Sequence, residues 1–227
     1  MKKADIDIYG QAIRFFLNGS TVYDLEEGMK EVFDCLGQQT KTAENPEELY
    51  LQTFTNVMHR DELEFFLQRG FYINNVMLFM ELDITELSED ETDLVNVEIY
   101  DVSKGFEEYL EANELGFGEQ DPPNQIEEEL SFPNAAIYVV REEGRIVSSV
   151  TVWDVDDDVL ATENIFTIPE YRGRKLAWNL LKHILLTKRV KGYNKARLSV
   201  FGDDFEALSM YYKMGFTLTK EKYELRY

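Results

Sequence analysis

A chain of 227 residues with 44% hydrophobic and 13% aromatic side chains is long enough to bury a core, and it holds no apolar run of membrane-spanning length. Its one cysteine, Cys35, excludes an internal disulfide framework and an all-cysteine metal site, and no metal centre is expected. With no apolar stretch after Met1-Lys2-Lys3, the expectation is a cytoplasmic protein with no membrane partner. A formal charge of −21 argues against a nucleic-acid partner, which needs a broad basic face.

The charge is unevenly placed. Residues 1–83 carry a net −8, and residues 84–170 a net −21 from 24 acidic and 3 basic side chains. Residues 171–197 hold 9 basic side chains and no acid, and residues 198–227 a net −1. One cationic island in an acidic protein leaves room for one small polyanion, although a solvated basic helix face has the same composition.

In chain order, Glu27–Leu36 reads as a helix and Glu48–Phe54 as a strand. A second helix over Glu62–Arg69 stops at Gly70-Phe71 and leads into an apolar strand. Ala135–Val140, Ile146–Trp153 and Val159–Ile168 read as three strands joined by the turns at 141–145 and 154–158. Ala177, Leu180, Leu181, Ile184 and Leu185 form one stripe of a helix from Leu176 to Lys188. A strand at Ala196–Phe201, a helix at Phe205–Met214 ending at Gly215, and a strand from Phe216 to Tyr227 complete the chain. Residues 62–71 align with residues 207–216 at a constant offset of 145, both ending a helix at Gly-Phe. Residues 1–83 therefore read as a half-unit, too short for the strands that precede the corresponding helix, and residues 84–227 as a whole unit.

Asn164 to Ala177 is the most informative stretch. A strand stops at Pro169 and a glycine-containing turn opens directly into a helix, leaving the first helical amides free at the positive end of the helix dipole. Arg172, Arg174 and Lys175 add three cations to that place, and a diphosphate is the natural occupant.

The run Pro-Glu-Tyr-Arg-Gly-Arg-Lys-Leu-Ala, followed about forty residues later by Tyr-Tyr-Lys-Met-Gly-Phe, resembles the acetyl-CoA-binding core of the GNAT superfamily of N-acetyltransferases. Arg172 and Ala177 fill the ends of the family's Arg/Gln-x-x-Gly-x-Gly/Ala pattern, and Ala207, Tyr211, Gly215 and Phe216 fill its second motif. The family's middle glycine is Lys175 here, a side chain that either crowds the turn or swings outward to offer a phosphate a point charge. The resemblance covers residues 84–227 and implies an α+β fold, a mixed central sheet flanked by helices, preceded at 1–83 by a truncated half-domain of the same kind. Such a tandem repeat would bind acetyl-CoA in its second copy only, because Thr21–Gly28 ahead of the first helix holds no arginine. The half-domain would then build one wall of an acceptor cleft or supply a homodimer surface.

The resemblance also implies site residues. Phe166, Thr167 and Ile168 would include a backbone donor to the thioester carbonyl, and Arg172, Gly173, Arg174, Lys175, Leu176 and Ala177 would hold the cofactor. Tyr211 would protonate the departing sulfur, although spacing alone favours a packed core aromatic on the stripe Ala207, Leu208, Met210, Met214. Glu163, where some relatives carry a carboxylate, is the candidate base or else a solvated acid. His183 and His59 have no nucleophile or carboxylate at a telling spacing. The expected reaction is direct transfer of acetyl from acetyl-CoA to a primary amine, a small cationic one given the 24 acids at 84–170. The rival reading is a non-catalytic acyl-CoA sensor or regulatory module, which would keep Arg172 and the turn and be indifferent to Tyr211.

Overall fold

The computed structural model describes residues 4–9, 12–17, 22–43, 45–56, 60–89, 96–118 and 123–227; His59 and Thr21 lie outside them. These residues form two compact units. One takes the described residues up to Leu78 together with Phe201–Asp203 and Lys220–Tyr227, and the other takes Phe79–Val200 and Asp204–Thr219.

The first unit opens with a hairpin, β1 (Ala4–Tyr9) against β2 (Ala12–Leu17), paired from Ala4↔Leu17 to Tyr9↔Ala12. Helix α1 (Val22–Gln39) then carries the chain to β3 (Tyr50–Asn56), which runs parallel to β2, as a parallel pair requires a crossover. The hairpin corrects the expectation that this stretch is too short for strands ahead of its helix. Two six-residue strands need only residues 4–17. Helix α2 (Arg60–Leu67) leads through Gly70, at φ 91°, into β4 (Tyr72–Asp83). The core sits between the helices and the sheet, where Met29 and Val32 of α1 and Phe65 and Phe66 of α2 meet Ile13, Phe15 and Leu51.

In the second unit β5 (Val97–Ile99) lies at one edge, against β6 (Ala136–Glu142), and β7 (Arg145–Asp156) and β8 (Val159–Thr167) follow as antiparallel neighbours. Helix α3 (Glu107–Phe117) packs on β7 and β8, and α4 (Pro123–Leu130) leads into β6. Helix α5 (Leu176–Val190) crosses from β8 to β9 (Lys195–Phe201), again parallel to the strand before it. It buries Leu180, Leu181, Ile184 and Leu185 on one stripe and ends on Lys188 and Arg189, which complement its dipole. Helix α6 (Phe205–Met214) is capped by Asp204 and closed by Gly215 at φ 102° before β10 (Thr217–Arg226).

Two strands run from one unit into the other. β4 starts in the first and its Phe79–Asp83 end lies in the second, beside β9. β10 starts in the second, where Thr219 donates to the Phe79 carbonyl, and finishes in the first, paired with β3 from Lys222↔Asn56 to Arg226↔Gln52. Where the sequence reading divides the chain at 83/84, the units part inside β4, because strand pairing rather than chain order groups the strands of each unit. The architecture is the expected α+β one, a mixed sheet flanked by helices.

Candidate active site

Strand β8 changes character halfway along. Its ladder with β9 runs from Val159↔Lys195 to Ala161↔Arg197, and beyond it side chains link the two strands, the Thr162 hydroxyl donating to the Arg197 carbonyl at 3.2 Å. The Ser199 N–H and hydroxyl both donate to the Glu163 carboxylate, at 3.0 and 3.1 Å to Oε1 and 3.0 Å to Oε2. On the other edge a bulge places Asn164 and Ile165 between the register pairs Thr151↔Glu163 and Ser149↔Phe166, with Asn164 at φ 49°. Past the bulge Ile168 gives its N–H to Val147. Alternation along the regular ladder past the bulge therefore turns the Phe166 amide toward β7 as well and aims that of Thr167 the opposite way.

The turn after β8 is braced by one guanidinium. Arg172 donates to the Thr167 carbonyl (3.0 Å) and to the Gly116 carbonyl at the end of α3 (2.7 Å). Gly173 at φ 76° and Lys175 at φ 58° both take left-handed backbone, and a Cβ built on Gly173 would meet nothing within 4 Å. Lys175 occupies the N-cap of α5 without a side-chain hydrogen bond, and the first intrahelical bond is Asn179 N–H to the Lys175 carbonyl. The amides ahead of Asn179 have no carbonyl one turn behind them in the helix, which makes the end of α5 a place for negative charge.

These features open on a cavity of about 640 Å³ in the second unit. Phe166, Thr167, Arg172, Gly173, Lys175, Leu176, Ala177 and Tyr211 line it, eight of the residues singled out in the sequence. Ile168 is fully buried and Arg174 is turned aside, its guanidinium gripped bidentately by Glu142 at 2.6 and 2.9 Å; neither lines the cavity. Glu163 also stays off the wall, half-buried on Ser199. Sequence reasoning missed Ile165 in the bulge, and Gly116 and Phe117 at the end of α3. It also missed Lys182, Asp204, Glu206 and Lys213, which put both signs of charge on the walls. His183 is exposed on α5. Among the described residues no group of three metal-ligating side chains comes together, and no helix is long and apolar enough to cross a membrane.

Two acids in this region are perturbed. Burial pushes the Glu163 carboxyl up to about 8, the Ser199 donors pull it back, and the Glu129 carboxylate adds to the rise. Tyr211, 4% exposed with its ring edge-on to Phe216, has its phenol raised well above the ordinary value by burial, with the Glu163 and Asp204 carboxylates acting the same way. It therefore holds its proton throughout the neutral range.

A family model, the acetyltransferase (GNAT) family, matches residues 102–216, about half of the chain and all of the cavity walls. The chain belongs to that family, whose members use acetyl-CoA as co-substrate for acyl transfer. No curated protein matches it. Among solved structures it is similar to a GCN5-related N-acetyltransferase from Sphaerobacter thermophilus, at 14% identity over 99% of this chain and 75% of that one, with a TM-score of 0.69. A GCN5-related N-acetyltransferase from Kribbella flavida gives 13%, 99% and 89% with a TM-score of 0.65. A glucosamine N-acetyltransferase region of a fungal multi-domain GH3 β-N-acetylglucosaminidase gives 13%, 98% and 30%, with a TM-score of 0.68. At these identities the likeness is one of fold.

The residues present fit an acyl-CoA. The cavity is of ligand size, open space stands over Gly173 where a backbone must approach phosphate, and the free amides of α5 face the same opening as Lys175.

Proposed function

We propose that this chain transfers acetyl from acetyl-CoA to a primary amine by direct attack. The observation that supports it is that an anion-cradling turn and a buried tyrosine that keeps its proton line one cavity. Bound acetyl-CoA supplies an activated thioester. The protein positions it through the amides at the start of α5 and offers the Thr167 N–H to charge growing on the carbonyl oxygen. As the amine nitrogen bonds to the carbonyl carbon and the carbon–sulfur bond breaks, Tyr211 hands its hydroxyl proton to the sulfur. Glu163, off the cavity wall and with its carboxyl pushed up to about 8, takes the amine's surplus proton by a relay of water molecules rather than by direct contact.

A cationic acceptor is favoured by the concentration of acids at 84–170, which raises the local concentration of a polyamine or a lysine-type side chain. The first unit we read as a degenerate copy. Phe66 and Phe71 meet at 5.2 Å and 63°, as Tyr211 and Phe216 do at 5.7 Å and 62°, and Phe66 has no proton to give. Tyr211→Phe tests the mechanism. Turnover should fall by about 10² to 10⁴ with CoA affinity held within about twofold, and unchanged turnover removes Tyr211 from the chemistry. An amine panel read by thiol release tests the acceptor, and no preference for polyamines over neutral amines at low salt refutes the cationic reading.

A further inference from the structure

The left-handed residue of the β8 bulge is not a glycine. Asn164 stands half-buried at φ 49°, where a side chain is costly and a short amide is tolerated best. Its side-chain nitrogen donates at 2.6 Å to the carboxylate of Glu129 on α4, 35 residues back along the chain. A bond of that length to a carboxylate holds the amide in one rotamer. It ties the bulge to α4 between two functional groups of one strand. Glu163 is the residue before, and Thr167, whose amide the strand aims away from β7, follows the bulge.

Helix α4 brings a charge as well as an acceptor, because Glu129 is near enough to Glu163 for one carboxylate to raise the other. Ser199 of β9 also faces Glu163, Thr151 of β7 lies opposite it in register, and its charge reaches the Tyr211 phenol of α6.

We infer that Glu129 is a positioning residue of the reaction, one that sets the bulge through Asn164 and so the direction in which β8 presents the Thr167 amide and the Glu163 carboxylate. The inference rests on the acetyl-transfer reading above. Neither Glu129 nor Asn164 lines the cavity, so the pair acts through β8 and not on the ligand. The carboxylate then does two separable things. Its oxygen holds the bulge, and its charge sets the pH at which Glu163 releases a proton.

Steady-state kinetics across pH, with hydrogen exchange of residues 162–168, test this on the full chain. Glu129→Ala removes both oxygen and charge. At about pH 9, where Glu163 is ionised, it should lower kcat about ten- to a hundredfold with KM for acetyl-CoA within about twofold. The amides around the bulge should exchange faster. Glu129→Gln keeps an oxygen for Asn164 and loses the charge. It should restore exchange, and kcat to within about threefold, yet move the limb near 8 to lower pH as Glu129→Ala does. Asn164→Gly accepts the left-handed backbone without the clamp, so it should match Glu129→Ala in kcat, and the double variant should lose no more than either single one. The inference is overturned if Glu129→Ala keeps wild-type kcat or exchange, if its loss appears in KM, if Glu129→Gln loses as much kcat, or if the two losses add. A limb that stays in place in Glu129→Gln overturns the part given to the charge. A wild type that transfers no acetyl overturns instead the acetyl-transfer reading, and hydrogen exchange still decides the clamp.

Discussion

Glu163 carries a stability cost that depends on pH in the direction opposite to most carboxylates. Its ordinary pKa is 4.5 and its value in the fold is about 8. Below 4.5 the folded and unfolded chains both hold the proton and nothing is lost. Between 4.5 and 8 the unfolded chain has released it and the folded one has not, so stability falls as pH rises, and above 8 the loss levels off. Each pH unit in that window is about 1.4 kcal/mol, giving a ceiling of about 4 kcal/mol between pH 5 and 8 and about half of that once solvent around a half-buried group is allowed for. Glu163→Gln removes the titration, while its amide oxygen still accepts from the Ser199 N–H and its nitrogen can donate to the Ser199 hydroxyl. Urea melts of both proteins at pH 5, 6, 7 and 8 isolate the effect, because every other carboxylate is common to the pair. The variant should be near wild type at pH 5 and about 2 kcal/mol more stable at pH 8. A stability difference that stays flat with pH, or shrinks as pH rises, refutes a raised Glu163. In turnover, the same substitution should abolish the limb of the wild-type pH profile near 8.

Gly116 stands where a Cβ would lie 2.6 Å from the Phe166 ring, which is itself packed between Tyr109 and Phe117. Gly116→Ala should cost about 1–3 kcal/mol in thermal melts, and a variant as stable as wild type would show that the ring gives way freely. Phe66 is 1% exposed, with Phe15, Phe65 and Phe71 around it. Phe66→Ala should cost about 3–5 kcal/mol by urea denaturation, and a loss under about 1 kcal/mol would mean that the first unit's core collapses onto the gap.

Most elements in the second unit were legible, because their signals are local. The stripe of α5, the Gly215 stop of α6 and the proline that ends β8 each sit within a few residues of what they determine. The hairpin ahead of α1 was missed although Asp5-Ile6-Asp7-Ile8 alternates as a half-buried strand does; with only six residues per strand the signal is short, and Ala12-Ile13 and Phe15-Phe16 break the alternation in its partner. Nor was the path of β4 and β10. A strand's own residues state which face is buried, and Leu225 does so at 0% exposed, but they do not state which partner lies alongside.

The same limit explains why only some of the expected site residues meet at the cavity. Residue type and spacing named the turn, and eight of the expected residues line the cavity. What separated Arg172, Arg174 and Lys175 were contacts far along the chain. Gly116 is 56 residues from Arg172, and Glu142 is 32 residues from Arg174. Glu163 was likewise decided at a distance, by Ser199 36 residues on, which ties its carboxylate across the gap where β8 leaves β9. A cation read from sequence is a charge with a reach of a few ångströms and no stated target. In a chain of net −21, acids are abundant enough to claim such charges, as Glu142 claims Arg174. Of the three, Arg172 and Lys175 line the cavity, and Arg174 is the one that a carboxylate of the protein itself removes from it.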